Sequence, residues 1–205
     1  MTDTTRTALL LQQAQNGEVD PKALAAEIAM LQQQLEKQSQ VIQTLEKDTV
    51  TDPLTGVMNR RGFETELNRT LANARRHGRQ SALLFVDMNN FKAINDTFGH
   101  FAGDEVLCHV STLLKANIRE TDILARVGGD EFCIILNDVR SAKDAENRAN
   151  LLAHYIQSSP VNFEGERIWI EASIGSTCFS KEDDMIEVIS KADSAMYAKK
   201  ATKSN

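Results

Sequence analysis

Residues Asp122–Leu136 read DILARVGGDEFCIIL. Two short apolar runs, ILARV and FCIIL, flank Gly128-Gly129-Asp130-Glu131. Aliphatic and β-branched flanks around consecutive glycines, which take positive φ at no steric cost, predict a β-hairpin with these four residues at its tip. Two adjacent carboxylates repel each other and gain nothing from such a turn. The tip therefore has two readings, a solvated acidic turn or a cation site.

A second stretch bears on the choice. Ser81–Asp87, SALLFVD, is a continuous apolar run too short for a helix, and it reads as a strand buried on both faces with Asp87 at its end. If the hairpin lies beside this strand, Asp87 and Asp130 converge at one edge of the sheet. Two or three carboxylate oxygens with a backbone carbonyl suit Mg²⁺, which completes its shell with water and substrate phosphates. Such a site clamps attacking and leaving oxygens in phosphoryl or nucleotidyl transfer. The chain has no GxxxxGK[ST] or GxGxxG loop, which excludes a P-loop or dinucleotide site, and no HExxH.

Around these strands the periodicity predicts helices. Phe63, Leu67, Leu71 and Ala74 mark one that runs to ARRHGR. Asp104 opens another, with Leu107, Val110, Leu114 and Ile118 on one face. A polar helix follows near 141–157, then a strand in which Ile168, Ile170, Ala172 and Ile174 alternate, and a last helix with Ile189, Ala192 and Met196 inward. This order predicts an α+β fold, with helices packed on a mixed, largely antiparallel sheet.

Upstream, Leu24, Ile28, Leu31, Leu35, Gln38, Ile42 and Leu45 recur at steps of four and three, an a/d heptad seam uninterrupted by Gly or Pro from Lys22 to Val50. Gln38 is a polar seam position of the kind that fixes register. The narrow stripe favours a coiled-coil helix pair over a helix folded back on its own domain. Residues 1–20 are polar, broken at Asn16-Gly17 and Asp20-Pro21, and Leu9 to Leu11 is too short to assign. The chain thus divides into an N-terminal segment, 1–49, with a dimerising helix at about 22–49, and a domain over 50–205.

Composition narrows the function classes. Of 205 residues 41% are hydrophobic and 25% charged, with a net charge of −6. No basic run tracks a nucleic-acid backbone, so nucleic-acid binding is not expected. Cys108, Cys133 and Cys178 stand apart in apolar contexts without metal-ligand spacing, as reduced core residues of a cytoplasmic protein do. The N-terminus lacks the apolar core of a signal peptide, and no run approaches a membrane span.

Four ordered motifs resemble those of the GGDEF-family diguanylate cyclases across roughly residues 50–200. They are Asp52-Pro53-Leu54-Thr55-Gly56 with Asn59-Arg60-Arg61; DMNNFKAINDTFGHFAGDEVL; RVGGDEF; and ADSAMYAKK. The resemblance implies a palm-like α/β domain shared with nucleotide cyclases. It also implies condensation of two GTP into cyclic di-GMP, with release of two pyrophosphates, each subunit of a homodimer holding one GTP. Mg²⁺, or Mn²⁺ in its place, would be held by the Asp87 side chain, the Met88 carbonyl and Asp130, which would also take the 3′-hydroxyl proton. Gly128 and Gly129 would let backbone approach phosphate. Lys92 would offset charge developing on the phosphate.

The resemblance likewise assigns Asn95 and Asp104 to guanine, where a buried carboxylate accepts from N1–H and the 2-amino group, which adenine lacks. His100 matches a substrate-contact position that is also a helix start, and Lys200 matches a phosphate-binding lysine. The family continues with Gly-Arg-Asn after that lysine; here Lys203-Ser204-Asn205 stands instead, and Lys203 offers a charge in place of the arginine. Arg119 and Asp122 have the RxxD pattern at the spacing of the family's inhibitory product site, since a guanidinium bridges phosphate and guanine. A helix-end ion pair is the other reading of that pair. Three function classes follow: an active enzyme, a degenerate domain that binds nucleotide or cyclic di-GMP as a signalling module, and a scaffold whose coiled coil is the working part. Intact Asp87, Lys92 and Asp130 favour the first.

Overall fold

A computed structural model describes residues 21–203 of the chain, with side chains for 22–39 and 49–201. Residues 1–20, with Leu9 to Leu11, lie outside it, as do the side chains of Ile42, Leu45 and Lys203. Two compact units meet between Thr49 and Val50. In the first, helix α1 spans Pro21–Asp48, about 42 Å at 1.5 Å per residue. Along it Leu24, Ile28, Leu31 and Leu35 are 37–66% exposed, and Gln38 is exposed too.

The second unit is built on β1 (Ser81–Asn89), whose first eight residues are all buried. Around it run α2 (Arg60–His77), α3 (Phe91–Phe98), α4 (His100–Ala116), β2 (Ile123–Arg126), β3 (Glu131–Leu136), α5 (Ala142–Ser158), β4 (Val161–Phe163), β5 (Glu166–Ile168), β6 (Glu171–Phe179) and α6 (Met185–Lys203). The main sheet has the order β2-β3-β1-β6, with each neighbouring pair antiparallel. One parallel bridge, Met58 to Ala125, patches the edge strand. The α+β expectation holds.

Alternation along the strands gives each face its own core. Leu83, Phe85, Cys133 and Ile135 meet Phe63, Leu67 and Leu71 of α2 and Val188, Ala192 and Met196 of α6. Leu84, Val86, Met88, Phe132 and Ile134 meet Val106, Val110 and Leu114 of α4 and Ala149, Leu152 and Ile156 of α5. Asp87 follows Phe85 on the α2/α6 face, at the end of the strand.

Four expectations need correction. The segment after β1 makes two helices, and α4 begins at His100 rather than Asp104. Ile118 lies beyond the end of α4, although it still packs against the core. The alternating run 168–174 is not one strand: Ile168 closes β5, Ile170 lies in the connection, and Ala172 and Ile174 belong to β6. All four remain buried, so the pattern reported burial rather than continuity. A small hairpin, β4–β5, intervenes, turning at Glu164 (φ 50) and Gly165 (φ 91). Positive φ at both central positions is the type I′ requirement that Gly meets readily.

Candidate active site

The hairpin docks beside β1 as the sequence implies. Asp87 stands opposite Glu131 in the β1–β3 register and opposite Ser173 in the β1–β6 register. Directly opposed residues project to the same face, so Asp87 and Glu131 share one corner of the sheet. The tip is tied there by Met88 N–H donating to the Asp130 carbonyl at 3.2 Å. The carbonyl of Met88 lies on the same edge of the strand as its N–H, so it faces the tip.

The tip itself differs from the expected glycine turn. Neither Gly128 nor Gly129 has positive φ, because the connection is a wider loop closed by Val127 N–H to the Glu131 carbonyl at 2.9 Å. Gly128 matters for another reason: a Cβ there would fall 2.2 Å from Glu131 Oε2, so any side chain would push that carboxylate aside. The Glu131 carboxylate folds over Gly128. Around Gly129 nothing lies within 4 Å, so that backbone is open to an incoming group.

Basic groups brace the corner. Arg126 donates to the Gly129 carbonyl through Nη2 at 2.7 Å and Nε at 3.2 Å. Arg60, at the start of α2, donates Nε–H to the Val127 carbonyl at 2.9 Å. Burial, then the charges of Asp130 and Asp87, push the Glu131 carboxyl above its usual range, and Arg60 partly offsets this. Lys200 of α6 brings Nζ to 2.5 Å from Asp87 Oδ1. The sequence marked Glu131 as half of the acidic tip but gave it no place over Gly128, and Arg60 and Arg126 stood there only within motifs, without a role. Only the strand register, which sets Glu131 across from Asp87, exposes that place.

The remaining site candidates sit on α3 and α4. Asn90, with φ 56, turns the chain out of β1 into α3, a conformation Asn tolerates. Lys92 is exposed on the first turn of α3, and His100 is exposed at the start of α4. Asn95 is half-buried, and its Oδ1 lies 1.9 Å from where a Gly103 Cβ would stand, so Gly103 admits the amide between the helices. Asp104 is exposed, not buried as expected; any desolvation of its carboxylate must come from a bound base.

Arg119 and Asp122 lie at the other end of the hairpin, roughly 20 Å from the tip at about 3.3 Å per residue. The helix-end ion pair, the other reading of these two residues, is not what the side chains form. Asp122 instead accepts from the Arg119 backbone N–H at 3.0 Å and from Asn137 N–H at 3.0 Å, which closes the turn into β2. A groove of about 520 Å³ opens beside it, lined by Arg119, Asp122, Asp138, Arg140, Asp144 and Arg148, among others. The two further arginines come from the β3–α5 connection and α5, too distant in sequence for a local motif to reveal.

Among the described residues no three His, Cys, Asp or Glu side chains form a closed metal cage. The oxygen groups near the corner are the Asp87 and Asp130 carboxylates, whose charges both act on Glu131, and the Met88 carbonyl, a set open enough for Mg²⁺ to complete with substrate. An ammonium already rests on Asp87, so the position accepts a cation. The donor set fits. No described helix is long and apolar enough to cross a membrane.

A family model described as diguanylate cyclase, GGDEF domain, matches residues 49–205. The chain is 37% identical over 150 residues to diguanylate cyclase TpbB of Pseudomonas aeruginosa, covering 73% of this chain and 34% of the relative. It is 36% identical over 149 residues to diguanylate cyclase DosC of Escherichia coli, covering 73% and 32%. It therefore spans about a third of the length of these curated relatives. Among solved structures, the coiled coil and GGDEF domain of DgcB from Caulobacter crescentus, in complex with c-di-GMP, superposes with a TM-score of 0.71 at 27% identity, covering 88% of this chain and 95% of that one.

Proposed function

This chain belongs to the GGDEF family, and on that premise we propose that it is a diguanylate cyclase, joining two GTP into cyclic di-GMP and releasing two pyrophosphates. The observation that carries the reading is the corner where Asp87 stands opposite Glu131 and holds the Lys200 ammonium, with the hairpin tip tied beside it through the Met88–Asp130 backbone bond. Asp87, Met88 through its carbonyl, and Asp130 would hold a divalent cation, Mg²⁺ or Mn²⁺. When bound, that cation supplies positive charge to the triphosphate and acidifies the attacking hydroxyl. Asp130 takes the 3′-hydroxyl proton. The open backbone at Gly129 admits a phosphate, and Lys92 and Lys200 neutralise charge on the phosphates. Asn95 and Asp104 read guanine, with His100 beside them.

One domain holds one GTP, so two must meet. The exposed seam of α1 supports pairing with a second copy, and a parallel pair would place both domains at one end; DgcB is likewise described with a coiled coil. Arg119 and the groove beside it form the product-inhibition site; DgcB is likewise described with c-di-GMP bound. Incubation of the purified chain with GTP and Mg²⁺, followed by nucleotide chromatography, tests the reading. Cyclic di-GMP and pyrophosphate in a ratio of about 1:2 are expected from the stoichiometry. GTP or cyclic di-GMP bound without turnover would favour the signalling-module reading instead.

A further inference from the structure

Lys200 and Asp87 are held together by packing, not by the chance reach of a long side chain. Helix α6 sits on β6 at Gly175, where a Cβ would lie 2.1 Å from Met196 N and 2.4 Å from Ala192 O. Only the absence of a side chain lets helix and strand approach to backbone distance. Gly175 pairs with Phe85, two residues before Asp87. Lys200 is one helical turn beyond buried Met196, on the same face, so this seating delivers its ammonium to the end of β1. The Asp87 side chain is 13% exposed and that of Lys200 39%, so the carboxylate is the enclosed partner and the lysine the one with room to leave.

We infer that Lys200 is a resident counter-ion in the cation position of Asp87, which a divalent cation must displace and which then turns to the phosphates of the nucleotide. The inference rests on the metal-site reading above. An ammonium 2.5 Å from Oδ1 crowds, in space and in charge, a cation that binds carboxylate at about 2.0–2.1 Å. Two cations on one carboxylate repel strongly in a partly dry site. Without nucleotide the cation must break the ion pair between Lys200 and Asp87 with nothing supplied in exchange for that contact. With a triphosphate present the lysine has a new partner, so cation and nucleotide each favour the other's binding, reciprocally.

The test uses the full 205-residue chain and Mn²⁺ alone, without nucleotide, with free Mn²⁺ read by electron paramagnetic resonance. Lys200→Met is expected to tighten Mn²⁺ about two- to fivefold, the range a pair of this exposure supports. Lys199→Met removes the same charge one residue away and controls for the general field. In wild type, Mn²⁺ is also expected to speed labelling of Lys200 by an amine-reactive reagent, read by peptide mass spectrometry, with Lys199 unchanged. Tightening no greater in Lys200→Met than in Lys199→Met overturns the inference, as does Lys200 labelling that is unchanged or slower. Either result leaves the metal site standing. Asp87→Asn that fails to weaken Mn²⁺ removes the metal site itself, and this inference with it.

Discussion

Arg126 clamps the hairpin tip to the opening turn of the domain by reaching Asp52: its Nη1 lies 3.3 Å from Asp52 Oδ1 while its other nitrogens hold the Gly129 carbonyl. Both side chains are under a fifth exposed. Asp52 is fixed in turn by Thr55, whose N–H and Oγ1 donate to it at 2.9 and 2.6 Å. The sequence places these two residues 74 positions apart.

This clamp predicts a pH-dependent stability. Burial alone would raise the Asp52 carboxyl, but the Thr55 bonds and the Arg126 charge outweigh it and hold the group below its ordinary 3.8. A carboxyl depressed in the folded state contributes stability that is present above the unfolded value and lost as pH falls through the folded one. Asp52→Asn is expected to destabilise by about 1–3 kcal/mol at neutral pH, about 2–4 °C in Tm per kcal/mol. The gap to wild type should close as pH falls below 3.8. Thermal melts across that range check it, and a gap independent of pH would assign the loss to packing.

What the sequence made legible, and what it hid, follows from the range of each interaction. Five consecutive apolar residues, Ala82–Val86, closed by Asp87, announced a buried strand, and the hairpin was readable from its flanks. The convergence of Asp87 with the tip followed once the two were set side by side. Glu131's place over Gly128 was not readable, because it depends on a loop wider than the turn that Gly-Gly suggests. Nor was the start of α4 at His100, since Gly99, with φ 86, lets a helix begin without a side-chain cap. Arg140 and Arg148 reach the Arg119 groove only through the path of the chain from β3 into α5.

The two tip glycines predict different outcomes. Gly128→Ala must push the Glu131 carboxylate aside, so it is expected to lower both turnover and the affinity for Mn²⁺. Gly129→Ala meets nothing within 4 Å and should fold like wild type, with an unchanged Tm. If backbone at Gly129 approaches phosphate, this variant will nonetheless raise KM for GTP several-fold. An unchanged KM would mean that phosphate does not approach there.

Asp130→Asn removes a metal-binding carboxylate and the base together, while the Asp130 carbonyl that ties the tip to Met88 is retained. Turnover is expected to fall at least about 100-fold, the order of effect seen when one electrostatic contact to a transition state is lost. Tm should move by less than about 0.5 kcal/mol equivalent, as for substitutions away from packed groups. Steady-state rates and a melt on the same preparation decide it, and a variant that keeps most of its turnover would remove Asp130 from the chemistry.

Arg119 and Asp122 should separate, although they belong to one motif. The Arg119 side chain is exposed beside the groove, so Arg119→Ala is expected to leave initial rates and Tm near wild type. Its progress curves should no longer slow as cyclic di-GMP accumulates. Asp122 accepts from two backbone N–H groups, and Asp122→Ala is expected to cost about 1–3 kcal/mol of stability as well. Equal inhibition of wild type and Arg119→Ala by added product would confine RxxD to a structural role.

The chemistry proposed for this chain needs two nucleotide-loaded domains face to face, and α1 is the element that can supply the second. Its described seam positions, Leu24, Ile28, Leu31 and Leu35, are 37–66% exposed, at the a/d spacing by which a second copy covers such a stripe. A parallel pair would start both domains from the same end of the coil. Tethering of that kind raises effective concentration to the order of millimolar. We expect residues 1–205 to sediment as a homodimer and a chain beginning at Val50 to be a folded monomer, since the core of that unit is complete within it. The monomer should still bind GTP, but its rate should rise with the square of enzyme concentration, whereas the full chain's rises linearly. Linear rates from the truncated chain, at concentrations where it sediments as a monomer, would show that α1 is not what brings the domains together. An antiparallel pairing of α1 would do the same, by holding the two sites apart.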